Sequence, residues 1–470
     1  MSSERHFSHQ PNVPGRGIVA GYSPSFWVLV VAIGVAAGLG GAVLTLLWEA
    51  VQHLSWDYRS GSFLDAVMSA SAARHVVVLL AAGAVAGVGG LLIRRVRGAG
   101  AGDISEALWL GGGRLSFWKS QARGVLSIVI VGMGASLGRE GAPQLTGAAV
   151  ANVLSDWARL PAWQRRMLIA CGAGAGMAAV YNVPLGGALF AVEVLLGTLS
   201  LPVVLPAVAM SAIATAVAWV ALPDRPSYQV PAFHLAASQV VWAAIVGPIA
   251  GLAAVAWVRA VAAANQHKPG GRGRVAAPIV IFTALGVASI AYPQVLGNGK
   301  DVVEQALTNR LAVGLLVALL VLKPFATVAC LGSGAPGGLF TPTLAYGVLF
   351  GDLLGHGWTA IWPGAAPGSF AIIGGAAVLA ASMQGPLAAV AILLELTHTA
   401  DNLIVPILIA VAEATIVARL LGAPSIYSAR LNDDAKRAAV AVGPLDPQPP
   451  PPLAGAFTTE TQPPVAPPGA

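Results

Sequence analysis

Gly138-Arg139-Glu140-Gly141-Ala142-Pro143 is the stretch on which the fold of this chain turns. It sets an arginine and a glutamate, flanked by glycines and a proline, inside a strongly apolar region. Ionisable groups at membrane depth are costly and face a bundle interior or a water-filled path. The neighbouring glycines and proline predict a helix that stops and restarts. Non-helical backbone at that depth is tolerated only where protein buries it or where it lines a cavity. Taken alone, the hexapeptide could be a polar turn between two spans. The rest of the chain decides against that.

Of the 470 residues, 10% are charged and 56% hydrophobic, and the mean hydropathy is +0.75. Ordinary soluble domains carry about 25% charged residues. So few charges could not keep the surface of a soluble fold this size wet, so the chain reads as an all-α polytopic membrane protein. The 56 glycines and 33 prolines suit close helix packing and broken helices. The net charge of +6 lies in short basic clusters between apolar runs, which is an orientation signal, not a nucleic-acid footprint. Cys171 and Cys330 lie far apart in apolar stretches, so neither a metal site nor a disulfide framework is expected.

Residues 1–24 are polar, without the pattern of a signal peptide. Residues 25–431 form the membrane domain, and residues 432–470 are Pro-rich and expected to be disordered. Several apolar stretches could span about 30 Å of hydrocarbon, including a continuous one at 185–221. Others, at 142–154 and 386–396, are too short and point to helices that end partway across. Arg94, Arg95 and Arg97, Arg159, Arg165 and Arg166, and Arg430, Lys436 and Arg437 place both termini on the cytoplasmic side of the cell membrane by the positive-inside rule.

An internal repeat supports the same architecture. Pro184-Leu185 through Glu193 can be laid on Pro386-Leu387 through Glu395, with the same Pro-to-Glu spacing and small or apolar residues between. A glycine-proline break precedes each: Gly138–Pro143 in the first half (about 25–221), Gly332–Gly338 in the second (about 239–431). Repeated halves with broken helices are the usual architecture of transport proteins, with the substrate site at their interface. The breaks favour an anion, because a helix N-terminus offers unpaired N–H groups and the positive end of the macrodipole. Gly138–Gly141, Gly334–Gly338 and Gly98–Gly102 are all glycine-rich lead-ins to apolar helices. No paired Asp cluster stands ready to strip and hold a cation.

These residues resemble the CLC family of chloride channels and proton-coupled chloride transporters. Gly138-Arg139-Glu140-Gly141 is similar to its gating-glutamate motif, Gly334 through Pro342 to its Gly-x-Phe-x-Pro filter segment, and Pro424-Ser425-Ile426-Tyr427-Ser428 to the segment supplying the filter tyrosine. Tyr181-Asn182-Val183-Pro184-Leu185 through Glu193 also fits. The resemblance spans about residues 26–431. It implies two inverted repeats of broken and re-entrant helices, a homodimer in lipid with an anion pathway in each subunit, and bound chloride as the only non-protein component. It implies Glu140 as the gate and Ala99, Gly100, Arg139, Gly141, Gly338, Leu339, Phe340 and Tyr427 at the anion site. The large cytoplasmic nucleotide-binding pair of many eukaryotic relatives has no room in the tail.

Two departures bear on function. Ala99 stands where the family places a serine hydroxyl that donates to chloride, and alanine cannot donate. Val194 follows Glu193 where proton-coupled members carry a glutamate, and valine cannot carry a proton. The expectation is a passive chloride channel with a glutamate gate and no enzymatic activity. A chloride/proton antiporter whose path avoids Val194 is the alternative, and a fluoride-specialised relative the third. Glu140 and Glu193 are the proton-path candidates beside Val194, with Asp103, Glu106 and Glu395 behind them. An intramembrane serine protease built on Ser333 would want glycine two residues earlier, where Leu331 stands, and a histidine within a span.

Overall fold

A computed structural model describes residues 22–96, 101–109, 114–398 and 400–431. The N-terminal segment up to residue 21, Ala99, Gly100 and the tail from 432 lie outside them. Ser23 accepts a hydrogen bond from the Phe26 N–H (3.3 Å) and Pro24 takes the first helical position, so α1 (Pro24–Trp56) begins where the polar segment ends. Ser62 and Ser71 start α2 (Phe63–Ser69) and α3 (Ala72–Arg95) in the same way. The first half continues through α4 (Ile104–Trp109), α5 (Phe117–Gly132), α6 (Gly141–Trp157), α7 (Ala162–Tyr181), α8 (Pro184–Leu189) and α9 (Leu201–Ala218). The second half holds α10 (Ala237–Gln266), α11 (Gly273–Ala291), α12 (Lys300–Leu307), α13 (Val313–Gly332), α14 (Phe340–Ile361), α15 (Pro367–Met383), α16 (Pro386–Thr397) and α17 (Ile404–Leu420). Among the described residues, extended pairing is limited to two isolated bridges.

Among the described residues, seven helical segments are long and apolar enough to cross a membrane. At 1.5 Å per residue, the 12-residue α16 reaches about 18 Å and cannot span about 30 Å. The apolar stretch 185–221 is not one helix. It divides into α8, a π-helical turn at Phe190–Leu195, and α9, with Gly197 at φ 68° in the gap. Gly98–Gly102 leads only into the six-residue α4.

The two halves repeat one another well beyond the matched Pro, Leu and Glu. Both breaks open on a glycine at positive φ, Gly134 (113°) and Gly334 (93°). α7 and α15 both end on a left-handed cap, Asn182 (φ 57°) and Gln384 (φ 59°), and both are followed two residues later by a proline that starts the next helix. The caps are held alike: Trp219 Nε1 donates to Asn182 Oδ1 (3.0 Å) and Arg419 Nε to Gln384 Oε1 (3.2 Å).

The halves also close each other's helix starts. Glu193 accepts from the N–H groups of Leu387 (3.2 Å) and Ala388 (2.6 Å) at the start of α16. Glu395 accepts from Leu185 (2.9 Å) and Gly186 (2.7 Å) at the start of α8. Each carboxylate satisfies two of the N–H groups a helix N-terminus leaves free and complements its dipole. Glu395→Ala should therefore destabilise the protein by about 1.5–3 kcal/mol, the range for losing hydrogen bonds to a charged group, and Glu395→Gln by less. Thermal unfolding in detergent measures this. Equal midpoints for Glu395→Ala and the parent would refute the clasp.

Two further features fix the interior. α6 and α7 approach so closely that a Cβ on Gly147 would strike the Gly172 carbonyl, the small-residue packing that brings membrane helices together. Lys323, fully buried in α13, donates to the carbonyls of Val295 (2.9 Å), Leu296 (2.9 Å) and Gly297 (2.8 Å). The Gly297 N–H in turn bonds the Gly134 carbonyl (2.9 Å). The lysine thus ties the connection ahead of α12 to the break between α5 and α6.

Candidate anion site

The breaks between α5 and α6 and between α13 and α14 meet backbone to backbone. Gly138 and Gly338 exchange both N–H···O bonds at 2.8 Å. Gly338, expected at the anion site, gives its N–H to Gly138. Its absent side chain matters more: a Cβ at either Gly138 or Gly338 would overlap the Glu140 carboxylate. The two glycines form the cradle in which that carboxylate lies.

Glu140 is 1% exposed. Its Oε1 accepts from the Phe340 N–H at 2.6 Å, the first residue of α14. Its Oε2 accepts longer bonds, both 3.4 Å, from the Tyr181 and Thr341 hydroxyls, which lie 2.8 Å from each other. The carboxylate thus fills the place that the free N–H groups and positive dipole of α14 would offer an anion. Among the described residues no ion pair joins it to Arg139. The Arg139 guanidinium lies over the Trp48 ring (4.3 Å) and beside Tyr181 (5.2 Å), with Nε and Nη1 unpartnered. Cation–π contact offsets part of its desolvation.

A cavity of about 50 Å³ adjoins this cradle, lined by Gly141, Gln144, Leu145, Pro336, Gly337 and Tyr427, with Asp103, Arg123 and Arg430 as its charged side chains. The Tyr427 hydroxyl is shielded from solvent and makes no hydrogen bond among the described residues. Arg123 lies 3.6 Å from Asp103. Burial pushes the Asp103 carboxyl up, but Arg430, Arg123 and the Ser105 N–H outweigh it and hold its pKa below the usual range. Leu339, 2% exposed, caps α14 and accepts from the Thr343 N–H (3.0 Å) and hydroxyl (2.6 Å).

The family described as "Voltage gated chloride channel" matches residues 79–419. The chain belongs to the voltage-gated chloride channel family. Anion transport by this family makes the protein a transporter or channel of the membrane, with chloride as the transported ion. It is 32% identical over 419 residues to the "Voltage-gated ClC-type chloride channel ClcB" of Salmonella typhimurium, covering 85% of this chain and 97% of that protein. It is 32% identical over 318 residues to the "H(+)/Cl(-) exchange transporter ClcA" of Vibrio parahaemolyticus, covering 64% and 67%. Among solved structures, a slow cyanobacterial Cl⁻/H⁺ antiporter superposes with a TM-score of 0.77 at 20% identity, covering 89% of this chain and 99% of that one. That likeness establishes the inverted-repeat fold.

Within this family fold the structure brings Arg139, Glu140, Gly338 and Phe340 together and sets Gly141 and Tyr427 around the adjoining cavity. Glu193 is engaged as the α16 clasp, and Val194 is buried against Gly385. Sequence reasoning missed the Tyr181 and Thr341 hydroxyls as Glu140 partners, and Gln144, Arg123 and Arg430 as cavity lining. Their signal was weak, because a hydroxyl next to a helix break or a lone amide in a first turn is common. Ser333 donates to its own helix at the Cys330 carbonyl (2.7 Å), as an ordinary helical serine does.

Proposed function

We propose that the protein conducts chloride passively through each subunit of a homodimer, with Glu140 as the gate. The observation carrying this reading is the Glu140 carboxylate on the Phe340 N–H at the start of α14. A tethered anion there competes with a free one for the same donors, so conduction requires it to leave. Val194, and a Glu193 whose two oxygens are both engaged, favour a channel over proton coupling. Leu185 and Leu387, 50% and 45% exposed at the starts of two half-depth helices, favour a second copy as cover, with lipid around the rest. Both termini are assigned to the cytoplasm. The antiporter remains the second reading because Asp103 lines the cavity beside Tyr427.

Reversal potentials in reconstituted bilayers under separate chloride and pH gradients test the reading. A potential that follows chloride alone supports it, and one that also follows pH overturns it. Tyr427→Phe should weaken chloride binding by about 2- to 12-fold, the range of one neutral hydrogen bond. Calorimetric titration with chloride checks this, and an unchanged affinity removes Tyr427 from the site.

A further inference from the structure

We propose that the Gln144 side-chain amide donates to the transported anion beside Tyr427 and sets which small anions the pathway prefers. The inference rests on the anion-site reading above and assigns its specificity to a residue outside the four sequence motifs.

Gln144 lies one helical turn after the gate, its N–H bonded to the Glu140 carbonyl (3.2 Å). Residues four apart share a helix face, and side chains tilt back toward the helix start. The Gln144 side chain is therefore directed toward the free N-terminus of α6. It is 5% exposed and lines the cavity with Gly141, Gly337 and Tyr427. Among the described residues its side-chain hydrogen bond runs from Nε2 to Met177 Sδ at 3.4 Å. A thioether is a weak acceptor and a carboxamide carries two N–H donors, so one donor remains.

The Tyr427 hydroxyl is the second donor. Gln144 is its side-chain neighbour, yet no bond of acceptable geometry forms and the hydroxyl has no partner among the described residues. The Tyr427 hydroxyl and the Gln144 amide thus both border one small cavity. The one carboxylate lining it, Asp103, lies beside Arg123. Unsatisfied buried donors are costly. The chemistry that answers both is a small monovalent anion that accepts and does not donate: chloride, bromide or nitrate. The amide does not titrate, so its contribution is the same at every pH, unlike that of Glu140.

The test is calorimetric chloride titration of the purified full chain, with anion permeability ratios in reconstituted bilayers, for Gln144→Leu and Gln144→Met. Chloride affinity should fall by about 12- to 160-fold, the size of one hydrogen bond to a charged group, equally at acid and neutral pH. Preference should move toward weakly hydrated nitrate and thiocyanate. Should Gln144→Leu fail to give a monodisperse protein, Gln144→Met, which keeps length and volume, carries the measurement. A Tyr427→Phe background separates contact from positioning. If Gln144 contacts the anion, its loss still weakens binding there; if it only holds the tyrosine, the double variant equals Tyr427→Phe and the proposal falls. Unchanged chloride binding in the Gln144 variants, with Tyr427→Phe and Glu140→Gln both altering it, overturns this inference alone. Unchanged binding in all of them overturns the anion-site reading itself.

Discussion

Glu140→Gln and Glu140→Ala are expected to raise chloride flux by about 12- to 160-fold and to leave it independent of pH. The magnitude follows from the charge-assisted bond that holds the gate: about 1.5–3 kcal/mol separates an ionised acceptor on the Phe340 N–H from none. In the parent protein, acid protonates the carboxylate and removes the charge that competes with chloride, so flux rises as pH falls. Glutamine keeps the shape and a carbonyl acceptor but has no charge at any pH. Alanine also empties the cradle between Gly138 and Gly338, which lies open because neither residue has a Cβ. Flux through alanine should therefore equal or exceed flux through glutamine. Chloride efflux from liposomes across a range of pH measures both variants. PH dependence like the parent's in both would remove Glu140 as the gate.

The part of this site carried by backbone was legible in the sequence. Glycine and proline leave strong signals when a helix must stop at membrane depth, so the two breaks, the half-depth helices and the equivalence of Pro184 with Pro386 could all be read. At Gly338 the same signal marked the place but not the use, which includes close approach of a carboxylate beside backbone pairing. A spacing rule cannot separate those uses, because both need a residue without a side chain. The division of the apolar stretch 185–221 was hidden for a related reason. Leu199 and Leu201 sit among apolar neighbours, and hydropathy does not register the turn at Gly197 that divides it.

Contacts between the halves were hidden more thoroughly. Glu193 and Glu395 matched each other in the repeat, and a matched glutamate in an apolar helix suggests ion or proton chemistry. In the fold each instead closes the helix start of the other half, across 194 and 210 residues of chain. Lys323 gave no signal beyond a lone charge in an apolar run, since its three carbonyl partners lie in a connection 26 to 28 residues away. Such partnerships depend on three-dimensional closure and have no local pattern.

The same clasps bear on coupling. A chloride gradient across reconstituted vesicles is expected to drive no uphill proton movement. A proton crossing about 30 Å of low-dielectric protein needs titratable groups or a continuous water chain. Glu140 serves the region of the gate, but Val194 stands where the relay would continue. Glu193 cannot readily replace it. Its two oxygens hold the α16 start, so protonating it would weaken the clasp, and it lies on a π-helical turn whose geometry departs from an α-helix. Glu395 is engaged likewise at α8. Glu106 is exposed on the six-residue α4. Asp103 lines the cavity, but Arg430 and Arg123 keep its carboxyl ionised, which disfavours taking up a proton near neutral pH. Val194→Glu alone should therefore leave flux passive or only partly coupled, because one new carboxyl does not supply the rest of a path. Simultaneous chloride and pH electrodes on the vesicles decide the matter. Proton uptake against its gradient by the unmodified protein, abolished by Glu140→Gln, would establish the antiporter. Loss of that uptake in Asp103→Asn as well would then place its second proton site at the cavity.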